Sequence, residues 1–543
     1  MRHTIDRDAA LLPANARGAA AKPVGSRRLW RGFAMPHAPV GAPARRAVAS
    51  EAPLAMALML LGVATRWATR SHVLYHWDSV NFALALERYD LAAHQPHPPG
   101  YVLYVLLGRL VNGVVGDAND SLVLISVLAS GLAIPMAYLL ARDLFDRCTG
   151  IYAALLTATG PLVWFYGSVA LSYIVELFFT GLIAWLCYHS LTGRRGFLVA
   201  ASVALAVAGG VRQNTLPLMV PLWLFCIARA KPVDRPWALV GLVLPALVWG
   251  AAMLHLSGGL GAYLRATAGQ ASDAAVAAGL GSLTRIAANL LRLTVYALYA
   301  LTLGLAVLPL LIPAGLRDPR RYLTQPCWQV LGLWMTPSAL FYALFVQQAG
   351  YSFTFMLALV VVVAYGLRRL DRRGVARRLR GRNPSRAALA LVIACNLAFF
   401  LLAPPFLLGM RRQLLSAPSL PAIRQRDRSV QERVAFVRAR FAPHEAVIVA
   451  SSFDFRLPDY YLREYRRLSA VGEANADPTV IPLAEEITTV VLFDDGLSPT
   501  PAGPQLREAA LPSGASVRWF GGIASQELVL NGATVGLARE ARP

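Results

Sequence analysis

One stretch, HVLYHWDSVNFALALERYDLAAHQPHPPGYVLY at residues 72–104, gathers seven side chains able to do acid–base chemistry: His72, His76, Asp78, Glu87, Asp90, His94 and His97. Asp78 follows Trp77, a residue type common at membrane interfaces, and opens a helix-like run through Asn81, Phe82, Leu84 and Leu86. Two readings of Asp78 stay open on spacing alone. An Asp before an apolar-periodic run commonly caps the helix, and a carboxylate in such a loop can also act as a catalytic base. Nothing here has the HExxH spacing of a zinc helix, and His94 and His97 flank prolines, which argues against a metal pair. Further along, Arg212 lies in GGVRQN, Arg265 and Arg285 in 257–288, Glu176 near the start of an apolar run, and Gln347, Gln348 and Tyr351 in QQAGY. Each has a plain structural account: an Arg at a span end snorkels, QQAGY makes a tight turn, and Glu176 pairs with an Arg.

The elements that must position these residues are membrane spans. Hydrophobic residues make up 56% of the 543-residue chain and charged ones 15%, with mean hydropathy +0.49. A soluble protein carries about a quarter charged residues, so the membrane class is set by composition. Apolar runs predict about eleven spans, near 52–69, 121–141, 148–166, 174–191, 197–212, 214–229, 236–256, 289–313, 327–346, 351–367 and 387–408. The connections 142–147, 192–196, 229–235, 317–326 and 368–386 each carry at least two Arg or Lys, whereas 167–173, 213 and 347–350 carry none. That alternation predicts a cytoplasmic N-terminus and a C-terminus on the opposite side. Residues 99–116 are apolar enough to tempt a further span, but counting them would flip every later arginine cluster. They are read as an interfacial helix within one long external loop, 70–120.

The expected organisation is therefore a disordered basic tail at 1–50, an all-α polytopic membrane domain at 51–409 and a small soluble α/β domain at 410–543. In the last, helices are expected at 422–441 and 458–467 and strands at 446–451, 487–493 and 515–520. The net charge of +22 falls in short clusters between apolar runs, which excludes the contiguous basic face of a nucleic-acid binder. Cys148, Cys187, Cys226, Cys327 and Cys395 have no metal-binding spacing and lie in or beside apolar runs, so they read as small packing residues.

Trp77-Asp78 followed by His97-Pro98-Pro99-Gly100-Tyr101-Val102-Leu103-Tyr104, with an ARDLF turn at Ala141–Phe145, resembles the GT-C superfamily of glycosyltransferases, in the branch that contains protein O-mannosyltransferases and lipid A aminoarabinose transferases. Trp164-Phe165-Tyr166-Gly167 through Tyr173 and Glu176 is similar to the second external loop of such enzymes, and the resemblance covers roughly residues 54–370. It implies transfer of a sugar from a polyprenyl-phosphate donor to a cell-envelope acceptor on the non-cytoplasmic face of a bacterial inner membrane, with inversion. Asp78 takes the place of the general base. Burial beside a low-dielectric surface would make its carboxylate a better proton acceptor. Arg212, with Arg265 and Arg285 as second choices, would stabilise the departing phosphate. His97, Tyr101, Tyr173, Glu176, Gln347 and Tyr351 would contact substrate. Asp78-Ser79 stands where some mannosyltransferases have Asp-Glu, and no DxD follows; the resemblance then implies no metal and no cofactor. The alternative is a transporter or flippase of a lipid-linked substrate. It lacks the half-to-half repeats and mid-span ionisable groups common in secondary transporters.

Overall fold

The computed structural model describes residues 43–193, 196–268, 282–311, 319–345, 348–372, 383–403, 418–451, 453–470, 479–483, 486–494, 506–521, 526–530 and 533–539. The chain divides into residues 1–53 and a single compact unit, 54–543. Most of the expected tail lies outside the described residues.

The protein is mostly helical. Among the described residues six helices are long and apolar enough to cross a membrane: Ala118–Leu144, Tyr173–Leu191, Pro232–Leu256, Leu283–Leu311, Ala349–Arg369 and Pro384–Leu402. Val102–Val115, Phe197–Val211 and Thr215–Arg229 are shorter apolar helices. The run expected as one span at 148–166 is two helices, Arg147–Thr159 and Pro161–Tyr166, broken at Gly160 because Pro161 starts a new helix at its first position. The break exposes carbonyls that need donors. Arg66, 1% exposed at the end of helix Pro43–Ala68, supplies them, its Nη2 donating to the Ala158 carbonyl at 2.7 Å and its Nε to Ser130 Oγ at 3.1 Å. Its guanidinium carbon sits 4.7 Å from the Trp164 ring centre.

Val102–Val115 is amphipathic, with Val102, Tyr104, Val105 and Gly108 buried and Leu110 and Val114 exposed. Gly108 lets the helix approach closely, since a Cβ there would meet Leu86 Cδ2 at 2.7 Å. Arg109 turns inward and donates to the Ala85 carbonyl at 2.8 Å.

Among the described residues from Leu420 onward are helix Leu420–Arg440, helix Leu457–Tyr461 and eight strands: β1 (Ala446–Ser451), β2 (Arg466–Ala470), β3 (Thr479–Leu483), β4 (Thr489–Leu492), β5 (Arg507–Ala510), β6 (Ser516–Gly521), β7 (Gln526–Leu530) and β8 (Ala533–Arg539). One sheet has the order β2-β1-β4-β6-β5, with β1 parallel to both neighbours and β6 antiparallel to β4 and β5. All six residues of β1 are buried, as its Val/Ile-rich sequence requires of a central strand. β3, β8 and β7 make a second sheet. The helix expected over 458–467 stops at Tyr461, because Arg466 and Arg467 pair with Val447 and Ile448 of β1 instead.

This region packs on the loop that follows the first helix. Asp427 Oδ1 accepts from Ser71 Oγ at 2.6 Å and from the His72 amide at 3.1 Å, and the Leu74 amide donates to Tyr461 Oη at 2.8 Å.

Replacing Arg66 by Leu would leave the Thr157 and Ala158 carbonyls buried without a donor. A stability loss of about 2 kcal/mol is expected, read as a lower unfolding midpoint of the detergent-solubilised protein. An unchanged midpoint would show that the helix break needs no cap from this side chain.

Candidate active site

Helix Trp77–Glu87 begins with His76, not Asp78, as its N-cap. His76 Nδ1 accepts from the Asp78 amide at 3.0 Å, and Ser79 Oγ accepts from the His76 amide at 3.4 Å. The capping reading of Asp78 is thereby corrected. With that task taken by His76, the Asp78 carboxylate stands in the first turn, where the helix dipole favours negative charge. It is 7% exposed, with Oδ2 3.5 Å from His76 Nδ1 and Oδ1 3.5 Å from His97 Nδ1.

The HPPGY segment brings His97 there. Gly100 has φ +123°, and a Cβ on it would meet Tyr89 Oη at 2.5 Å, so the tight passage admits only glycine. Tyr89 Oη donates to the Gly100 carbonyl at 2.8 Å and closes the turn. The His97 ring then packs against Phe82 at 5.3 Å and Tyr101 at 4.7 Å between ring centres.

A second group meets Asp78 from the helical bundle. Arg212, at the C-cap of Phe197–Val211, holds Glu176 Oε2 at 3.0 Å through Nε and donates from Nη1 to Ser172 Oγ at 3.3 Å. Glu176 Oε1 accepts from Thr215 Oγ1 at 2.9 Å and Thr354 Oγ1 at 3.1 Å. The Arg212 guanidinium carbon lies 4.1 Å from the ring centre of Tyr173, 5.3 Å from that of Tyr351 and 5.7 Å from that of Tyr101, so three tyrosines enclose it. Tyr173 Oη donates to Gln348 Oε1 at 3.2 Å, and Gln348 also hydrogen-bonds Asp78.

The electrostatics of the loop follow from this packing. Burial opposes charge on Asp78, but His97, His76, Arg212 and the Gln348 hydrogen bond outweigh it, and the carboxyl sits below its ordinary value. The expectation that burial would make Asp78 more basic is therefore reversed by its neighbours. Burial lowers His76 to about 4 against the pull of Asp78, and lowers His97 as well. Both imidazoles are neutral at neutral pH while Asp78 is ionised.

Asp78, His97, Tyr101, Tyr173, Glu176, Arg212 and Tyr351 thus converge. Arg265 does not: it is exposed on a helical segment at 260–268. Gln347 lies outside the described residues, and its neighbour Gln348 makes the contact. Sequence reasoning gave no role to His76, Thr215 or Thr354. The His76-to-Ser79 spacing is that of a capping box with an unusual cap, a signal open to reading. Among the described residues no group of three or more His, Cys, Asp or Glu side chains is placed to hold a metal ion.

Residues 96–255 match the family model described as dolichyl-phosphate-mannose-protein mannosyltransferase, and this segment includes the HPPGY stretch, Glu176 and Arg212. Solved structures similar to the chain include ArnT from Cupriavidus metallidurans in the apo state, at 14% identity and TM-score 0.49, over 88% of this chain and 98% of that one. The same protein bound to undecaprenyl phosphate matches at 13% identity and TM-score 0.49, over the same shares. The apo oligosaccharyltransferase of Archaeoglobus fulgidus matches at 16% identity and TM-score 0.44, over 81% of this chain and 69% of that one. No curated protein matches the chain. Residues 96–255 are thus similar to a family of membrane mannosyltransferases, in a chain with several helices long and apolar enough to cross a membrane.

His76 contributes a distinct pH dependence. Its folded value of about 4 lies below the ordinary 6.5, so the unfolded chain binds the extra proton first as pH falls. Stability is full above about pH 6.5 and declines toward pH 4. His76→Asn keeps a cap acceptor but removes the titration. Its unfolding midpoint should fall less than wild type between pH 7 and 4.5, and an equal fall would assign the slope to other groups.

Proposed function

We propose that this chain is a membrane glycosyltransferase of the GT-C superfamily, which moves a sugar from a polyprenyl-phosphate donor to a hydroxyl of a cell-envelope acceptor with Asp78 as general base. The observation that carries the reading is the Asp78 carboxylate, relieved of capping by His76 and held ionised within reach of Arg212 and the tyrosines. The acceptor oxygen attacks the anomeric carbon as its proton passes to Asp78. The bond from that carbon to the phosphate oxygen breaks, and polyprenyl phosphate leaves. Attack opposite the leaving group inverts the anomeric centre. A base positioned in this way contributes roughly 10²–10⁴-fold.

The departing phosphate needs a cation, and the reading assigns that part to Arg212 in place of a metal ion. Glu176 engages Nε and fixes the orientation of the guanidinium, while Tyr101, Tyr173 and Tyr351 line the space around it. His97 and Gln348 complete the surroundings of the reacting atoms. The description of the matched family, a mannosyltransferase using dolichyl-phosphate mannose, supports a lipid-phosphate sugar as donor class.

The topology proposed is eleven spans with the N-terminus in the cytoplasm and residues 410–543 on the outer side of a bacterial inner membrane. In favour, the segments around Asp78, Ser172, Arg212 and Gln348 meet at one end of the helices, and these were the connections expected to share a face. The region after Leu420 packs on that same end.

The test is lipid mass spectrometry on membranes of a deletion strain carrying wild type or Asp78→Asn. A polyprenyl-phosphate sugar should accumulate in the deletion and the Asn variant and fall with wild type, with transfer reduced at least about 100-fold by the substitution. Full restoration by Asp78→Asn would remove Asp78 from the chemistry.

A further inference from the structure

Asp78 and His97 belong to two pieces of one loop, helix Trp77–Glu87 and the turn that runs from Arg88 to Tyr101. The turn is closed on itself. Asp90 and Gln95 form an isolated antiparallel bridge, and Tyr89 reaches the Gly100 carbonyl. Neither contact sets the distance from the turn to the helix. The packing of His97 on Phe82 draws the two together, but apolar ring contacts fix direction poorly.

A guanidinium from the C-terminal region supplies the direction. Arg456 donates from Nε to Asn81 Oδ1 at 2.9 Å and from Nη2 to the Ala93 carbonyl at 2.5 Å. Asn81 is buried and lies one helical turn after Asp78; Ala93 precedes the His94–His97 segment. Asp459 holds Nη1 at 2.9 Å and in turn lies 3.4 Å from Arg467, so the fork is fixed from behind. Phe455, the preceding residue, packs its ring 6.0 Å from Trp77 at the start of the same helix. One planar group with donors on two edges therefore bridges the piece carrying Asp78 to the piece carrying His97, a geometry that lysine cannot reproduce.

We propose that Arg456 is a positioning residue for sugar transfer: it sets the spacing between Asp78 and His97, and so makes the C-terminal region a working part of the site. This rests on the reading of Asp78 as base. It touches neither sugar nor phosphate; it acts through Asn81 and Ala93. A misplacement of about 1 Å at reacting groups costs on the order of 100-fold in rate.

The experiment compares full-length wild type, Asp78→Asn, Arg456→Gln, Arg456→Lys, Asn81→Ala and Arg463→Gln in the deletion strain, measuring both membrane abundance and the accumulating polyprenyl-phosphate sugar. Arg463→Gln is the control, because the contacts it removes, with Glu87 and Tyr460, involve neither Asn81 nor Ala93. Arg456→Gln should slow transfer by about 10- to 100-fold at wild-type abundance. Arg456→Lys should recover part of that loss, and Arg463→Gln should stay within about twofold. Amide hydrogen exchange in purified Arg456→Gln should quicken over 88–97 and not across the membrane helices. Should Arg456→Gln fail to accumulate, Asn81→Ala decides, since it cuts the bridge and leaves the Arg456–Asp459 pair intact. Slowed transfer by Asn81→Ala at normal abundance upholds the proposal, and wild-type transfer overturns it. Wild-type transfer by Arg456→Gln while Asp78→Asn is blocked overturns the positioning role alone. Wild-type transfer by Asp78→Asn overturns the base assignment on which it rests.

Discussion

A carboxylate taken out of water must be compensated by groups that cannot move away, and Asp78 imposes that constraint on the rest of the structure. Desolvation alone would push its proton back on. At neutral pH the compensation comes from a helix N-terminus, one guanidinium and a glutamine amide, and the two imidazoles beside the carboxylate add to it once acid protonates them; these groups are drawn from three separate parts of the chain. Each contributor then needs support of its own. His76 is kept in place by the capping box, His97 by the glycine-dependent turn at Gly100, and Gln348 by Tyr173. The loop would not hold its charge if any of these anchors floated.

Arg212 and Glu176 carry the same logic into the helices. A buried pair gains little over apolar packing, but removing one partner leaves the other charged and stranded, at a cost of about 3–5 kcal/mol. The Glu176 carboxylate is satisfied by Arg212 and by hydroxyls on Thr215 and Thr354, so four helical elements register on one acid. That registry is also what seats Arg212 among Tyr101, Tyr173 and Tyr351. Structural and chemical duties are thus combined: the glutamate that orders the helices also orients the cation.

Much of the site was legible in the sequence because its residue types are expensive where they stand. Glu176 and Arg212 at the ends of apolar runs, and Asp78 beside Trp77, each demanded a partner. The HPPGY segment carried its own signal in Gly100. What spacing could not settle was the choice between capping and chemistry at Asp78, because histidine is an uncommon cap and His76 hid the answer two residues away. The direction of the Asp78 shift was also hidden, since burial is visible in hydropathy whereas His97 and Arg212 arrive through folding. Among the elements, the break at Gly160 was missed because the apolar run continues on both sides of it, through Ala153–Leu156 before and Leu162–Phe165 after. The segment Asp454–Tyr461 stood out as polar and aromatic, but the bridging contact of Arg456 left no trace, for it joins residues 375 positions apart.

The arginines of the C-terminal region change how the basic charge is understood. A loop that crosses a bundle end without regular structure presents carbonyls that need donors, and water is scarce under a packed region. Arg424 donates to the carbonyls of Ala68 and Arg70, Arg426 to that of Tyr75, and Arg456 to that of Ala93. These are sequential points along the stretch that contains His76 and Asp78. Guanidinium suits the task because its donors fan out from one weakly hydrated plane, and Asp427, Asp454 and Asp459 hold three such planes in place. The positive charge in this region is therefore spent inward on backbone. The loop bearing the proposed base is ordered by the chain's own C-terminal region, and loop and cover belong to one compact unit.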